Sequence, residues 1–178
     1  MKYTSDKKKG LKKVVIQTEV TGLYPEDGHR LVEIAAIEID ENDIQTGTVF
    51  HTYINPNRSI PKEVEAVHGL NRRFLKNYPT FEFYKDCFLH FIEGKELISQ
   101  NIKFDLNFLN NEIGFVLPNK ITDTLEMAKK VFPGQRNSLF HLCERLNIKI
   151  KNSPYNGALL DALCLLEVYR KLKQSCKD

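Results

Sequence analysis

The chain has 178 residues, 42% of them hydrophobic and 10% aromatic, which suits one domain with a sizeable core and requires no second one. A formal charge of +3 is too mild to argue by itself for a polyanionic partner. Cys87, Cys143, Cys164 and Cys176 form neither a CxxC pair nor a secreted framework, no apolar run reaches the roughly 20 residues that span a bilayer, and no apolar stretch of a signal peptide follows the N-terminal charges, so a cytoplasmic protein without a membrane partner is expected.

In chain order, Lys7, Lys8, Lys9, Lys12 and Lys13 supply much of the positive charge, and residues 1–12 read as a flexible, solvated tail. A single domain is expected over residues 13–174, with 175–178 as the C-terminal end. The apolar, β-branched run Val14, Val15, Ile16 reads as a central strand stopped by Thr21-Gly22. Residues 31–40 and 48–54 read as an antiparallel pair around a polar turn. Helices are expected over 61–68 and 80–92, the second with Phe83, Cys87, Phe88 and Phe91 at helical spacing and its aromatics in the core. A strand over 96–99 then leads to a helix over about 104–112, and a strand over 121–123 to a helix over 124–132. Asn137-Ser138 marks the start of a helix over 138–146, and residues 158–172 carry Leu159, Leu160, Leu163, Leu166 and Tyr169 on one apolar face. A meander followed by alternating strands and helices indicates an α/β domain, a mixed sheet flanked by helices.

Three acids stand out. Glu19, beyond the first strand, is ordinary as a solvated loop acid, and Asp105, opening a helix, is ordinary as a first-turn acid favoured by the helix dipole. Asp161 is harder to dismiss, because it interrupts the apolar run Ala158-Leu159-Leu160-Asp161-Ala162, and a buried carboxylate without a cation costs several kcal/mol or protonates. Three acids at the ends of separate elements could relieve that cost by converging on divalent metals, which take hard oxygen ligands.

Five blocks then carry a resemblance over nearly the whole chain: Ile16-Gln17-Thr18-Glu19-Val20-Thr21-Gly22-Leu23, Val67-His68-Gly69-Leu70, Gln100-Asn101-Ile102-Lys103-Phe104-Asp105, residues 132–139 (FPGQRNSL) and Asn156-Gly157-Ala158-Leu159-Leu160-Asp161-Ala162. In this order they resemble the DnaQ-like, DEDDh-type 3′-to-5′ exonucleases of ribonuclease H-like fold, a family that includes the proofreading epsilon subunits of bacterial DNA polymerase III. The resemblance implies four carboxylates holding two Mg²⁺ or Mn²⁺ ions and a histidine five residues before the last acid that activates water. Glu19, Asp105 and Asp161 match three of the acids. Gln17 stands where the metal-bridging aspartate belongs and Asn156 where the histidine belongs. One ion or none is therefore expected, and activity near background, since an amide accepts no proton from water and general-base catalysis typically contributes 10²–10⁴-fold. Replacement of the base by His68 or His141 is not expected.

The resemblance also places Val20, Thr21, Gly22, Glu63, Val67 and His68 around the terminal nucleotide, with Val20 in place of a usual threonine. The leading expectation is a binding or structural subunit in DNA replication that takes the 3′ end of a single strand, DNA before RNA, with polymerase III subunits as partners. The surviving acids keep open an active, atypical exonuclease. The end of the chain at Asp178, without the family's polymerase-contacting tail, keeps open a nucleic-acid-binding or regulatory protein outside the polymerase. The mixture of glutamine, asparagine, Val20 and Gln100 resembles drift more than designed inactivation.

Overall fold

The computed structural model describes residues 11–149 and 157–176. Strand β1 (Lys13–Val20) is rich in β-branched residues and lies at the centre of a five-stranded sheet of order β3-β2-β1-β4-β5. It pairs antiparallel with β2 (Leu31–Ile39), which pairs antiparallel with β3 (Gln45–Tyr53), and it pairs parallel with β4 (Glu96–Ser99), which pairs parallel with β5 (Ile121–Asp123). The expected meander followed by parallel strands is thus the observed topology.

Side chains alternate across the sheet and divide the core in two. Val14, Ile16, Ile34, Ala36 and Leu97 pack against α3 (Phe81–Ile92) and α4 (Ile102–Ile113) through Phe81, Phe88, Phe108 and Leu109. On the opposite face Val15, Ala35, Ile37, Ile39 and Ile98 pack against α7 (Ala158–Ser175), which is backed by α5 (Thr124–Val131) and α6 (Leu139–Arg145). Between β3 and α3 lie α1 (Lys62–His68) and the single turn α2 (Arg72–Leu75). The periodicity of the sequence does not reveal α2, because four residues are too few to show a period; its cap, Asn71 accepting from the Phe74 amide, is the only local mark.

Several expectations need correction. The first strand does not stop before Glu19 but continues through it to Val20, because pairing with β2 persists to Glu19↔Glu33. In α3 the buried residues are Phe81, Phe88 and Ile92, while Phe83 and Cys87 are exposed. Helical spacing gives a stripe but does not say which stripe meets the sheet. On α7 the buried face is Ala158, Leu159, Ala162, Leu165, Leu166, Val168, Tyr169 and Leu172, with Leu160 and Leu163 only half-buried. Lys12 and Lys13, counted with the basic tail, are part of the folded body: Lys12 pairs with Glu38 at 2.7 Å and Lys13 with Asp43 at 2.5 Å.

Candidate active site

The parallel strands β1, β4 and β5 all end at one edge of the sheet, the place where open α/β sheets hold ligands. A bulge between Glu19 and Val20 shifts the register there, so that Val20 faces Leu31. Bulges commonly re-aim side chains beside functional sites. By alternation with Val15, Gln17 and Glu19 project to the α7 face, toward the helix that carries Asp161.

Asp105 arrives from the other side. It lies in the first turn of α4, behind an Asn101 held in the left-handed region (φ 61°), and is buried. The Thr18 hydroxyl donates to its Oδ1 and the Ser99 hydroxyl to its Oδ2, each at 2.7 Å. Gln17 Nε2 donates to Ser99 Oγ at 2.7 Å and to the Ile16 carbonyl at 2.9 Å. The loop before α4 is pinned by Asp123, whose Oδ1 accepts from the amides of Asn101 and Leu125 at 2.9 Å.

Electrostatically these acids form one group. Burial pushes the Glu19 carboxyl up to about 8, with the Asp161, Glu33 and Asp105 carboxylates adding to the rise. Burial raises Asp105 to about 6 against the Thr18 and Ser99 hydrogen bonds, and burial together with Glu33 raises Asp161. None of the ion pairs among the described residues joins a Lys or Arg to Glu19, Glu33, Asp105 or Asp161. Arg30, at the same edge, is engaged by Glu112 through both its Nε and Nη2, at 2.5 and 2.6 Å.

Glu33 was not among the residues expected here. It is 1% exposed on β2, accepts from His51 Nε2 at 2.8 Å and accepts the Ala158 amide at 3.1 Å. A buried carboxylate thus caps the N-terminus of α7 and fastens the helix that presents Asp161. Gly157 fits because of it: its φ is +64°, and a Cβ there would come 2.4 Å from Glu33 Oε2. A charged residue inside the apolar run Leu-Val-Glu-Ile-Ala-Ala was the only trace of this in the sequence. Ser99 and Asp123 left less, since their roles depend on partners distant in the chain.

Of the residues expected around a terminal nucleotide, Val20, Thr21 and Gly22 lie together at the bulged end of β1. The Thr21 hydroxyl sits 3.1 Å from His29 Nδ1 and accepts the Arg30 amide at 3.0 Å. A Cβ on Gly22 would fall 2.2 Å from the His29 ring, so only glycine lets the ring lie there. His68, at the end of α1, accepts the Leu70 amide on Nδ1, and its buried Nε2 has no aligned partner among the described residues. Burial lowers its basicity, opposed by the Val20 backbone and the Glu33 and Glu65 carboxylates, which sets the ring against the end of β1. Glu63 and Val67 are exposed on α1. His141 is engaged with Ser138 at the start of α6. Asn156 lies outside the described residues.

For a metal centre, Glu19, Asp105 and Asp161 are the side chains that would have to converge. Among the described residues no three His, Cys, Asp or Glu side chains are grouped closely enough to hold an ion, and both oxygens of Asp105 are met by hydroxyl protons. As arranged, these residues do not fit a two-ion centre.

The family profile described as Exonuclease (RNase_T) matches residues 14–169. The chain is 43% identical over 171 residues to the DNA polymerase III subunit epsilon of Rickettsia conorii, covering 91% of this chain and 74% of that protein. It is 39% identical over 170 residues to the subunit of the same name from Escherichia coli K12, covering 89% and 70%. Among solved structures, exonuclease X in complex with 5′ overhanging duplex DNA superposes with a TM-score of 0.75 at 20% identity over 91% of each chain. Exonuclease I in complex with an inhibitor gives 0.79 at 14% identity over 93% of this chain and 41% of that one. At such identities the structural likeness establishes the fold.

Proposed function

The chain belongs to the RNase T exonuclease family, with DNA polymerase III epsilon subunits among its relatives, and from that premise we propose that it is a replication protein which holds the 3′ end of single-stranded DNA but hydrolyses it poorly. The observation that carries this reading is Gln17. Metal-assisted phosphodiester hydrolysis of this class uses two ions roughly 3.5–4 Å apart with anionic ligands between them. Gln17 brings a neutral amide whose nitrogen is already engaged by Ile16 and Ser99. Glu19 and Asp161 remain as anionic ligands for at most one Mg²⁺ or Mn²⁺. Asn156 adds a second loss, because an amide takes no proton from water near neutral pH, as a histidine with a pKa of about 6.5 does.

The residues proposed to receive the terminal nucleotide are Val20, Thr21, Gly22 and His68, with Glu63 and Val67 on the exposed rim of α1. None of the hydrogen bonds described for these residues involves Gln17, so end recognition and cleavage are proposed to be separable. Polymerase III subunits are the proposed partners, by extension from the epsilon relatives. No helix among the described residues is long and apolar enough to cross a membrane, and a cytoplasmic location is proposed by the same extension.

An active, atypical exonuclease is the second reading, favoured by the crowding of Glu19, Asp161, Glu33 and Asp105, which a single cation would relieve. One assay separates the two. The purified chain and its Gln17→Asp, Asn156→His double variant are incubated with 5′-labelled single-stranded DNA and Mg²⁺ or Mn²⁺. The native chain is expected near background and the double variant at least roughly 10²-fold faster. Digestion by the native chain at a rate close to that of the variant would sink the impaired-centre reading.

A further inference from the structure

Gln17 Nε2 lies between the Ile16 carbonyl and Ser99 Oγ, at 2.9 and 2.7 Å. A carbonyl only accepts, which orients the amide and directs its two protons to these two atoms. Ser99 Oγ therefore accepts from Gln17, and its single proton goes to Asp105 Oδ2 at 2.7 Å. Thr18 completes the set from the other side, on Oδ1 at 2.7 Å. Ser99 is fully buried and Asp105 is 4% exposed, so water does not substitute freely for any of these bonds. The relay has one direction and ends on a buried carboxylate.

Resting on the impaired-centre reading, we propose that Ser99 is a positioning residue that couples Gln17 to Asp105, so that the Asp105 carboxylate is satisfied by hydroxyl donors and needs no divalent ion. Glutamine at position 17 is then explained by what its amide donates, beyond what it fails to ligate. An aspartate there would bring no donor, would compete with Asp105 for the one Ser99 proton, and would add charge beside Glu19 and Asp161. Beside such an aspartate the Asp105 carboxylate gains from a cation; in the native chain it does not.

Thermal melts of the full chain in EDTA and in millimolar Mn²⁺ test this. The native chain is expected to melt at the same temperature in both. Ser99→Ala leaves Gln17 Nε2 and Asp105 Oδ2 each short of a partner and is expected to lower the EDTA melting temperature by roughly 2–6 °C. Mn²⁺ should restore part of that loss, because the released carboxylate now binds a cation in the folded state only. Gln17→Asp should show the same metal-dependent recovery. Should Ser99→Ala fail to fold, Gln17→Met removes the donor at similar length and should also become Mn²⁺-responsive. A Ser99→Ala loss of equal size with and without Mn²⁺ means that Ser99 only packs, and overturns the relay. So does a native chain stabilised by Mn²⁺ as strongly as Gln17→Asp. The nuclease assay is independent: a digesting native chain removes the impaired-centre reading whatever the melts show, whereas an inactive chain whose Ser99→Ala melt ignores Mn²⁺ removes the relay alone.

Discussion

The two ends of the sheet hold buried and half-buried acids in opposite conditions. At the end where β1 begins, Glu38 is met by Lys12 and Lys95 at 2.7 and 2.6 Å, and Asp43 by Lys13 and Lys173 at 2.5 Å each. Burial there is overcome: Glu38 is held down at about 2 and Asp43 is lowered by its lysine partners. At the end where β1 stops, Glu19, Asp105 and Asp161 have neighbours of their own sign and all are raised. The same residue types on one sheet thus serve as structural ties at one edge and as an anionic cluster at the other. The lysines at one end and their absence at the other set the direction of the shifts. Acids crowded in this way, without the lysines that Glu38 and Asp43 have, are enriched at functional sites.

Breaking the neutralised end should have the largest effect on stability. Lys95→Met leaves Glu38, 2% exposed, with Lys12 as its only cationic partner and is expected to cost about 3 kcal/mol in denaturant melts. At the other end the sign reverses. Glu19→Gln removes the cost of keeping a proton on this crowded carboxyl and is expected to raise metal-free stability by about 1–3 kcal/mol at neutral to mildly alkaline pH, as measured by urea unfolding. The pH dependence sharpens the contrast. Glu19 binds its proton up to about 8 in the fold and to about 4.5 in the unfolded chain, so its contribution is full below 4.5 and is lost as pH rises through about 8. In EDTA the melting temperature should therefore fall between about pH 5 and pH 8.5, and Glu19→Gln should flatten that fall. Glu38 acts oppositely, its contribution present above 4.5 and lost only as pH drops through about 2. The smallest effect belongs to Glu126→Gln, which breaks an exposed pair with Lys129 on α5 and should leave the melt unchanged within reproducibility.

The order of elements was legible in the sequence because turn residues and the change of period from two to nearly four mark them locally. Glu19, Asp105 and Asp161 were legible as candidates because each is an acid at odds with its local pattern or embedded in a recurring block. Glu33, His51 and Ser99 were not. Glu33 caps a helix 125 residues away and Ser99 joins Gln17 to Asp105 across the sheet, relations that no local spacing encodes. Phe83 shows the converse failure, where a correct helix was given the wrong buried stripe.

The sequence by itself determined most of the elements, their order and the α/β class, since propensity, periodicity and residue chemistry act over a few neighbouring positions. Tertiary structure alone decided which acids acquire lysines and which are left to crowd each other, where α7 is fastened, and that Gln17 donates through Ser99 to Asp105. Charge and hydrogen bonding act over a few ångströms of space whatever the separation along the chain, and only the folded sheet brings those atoms within range.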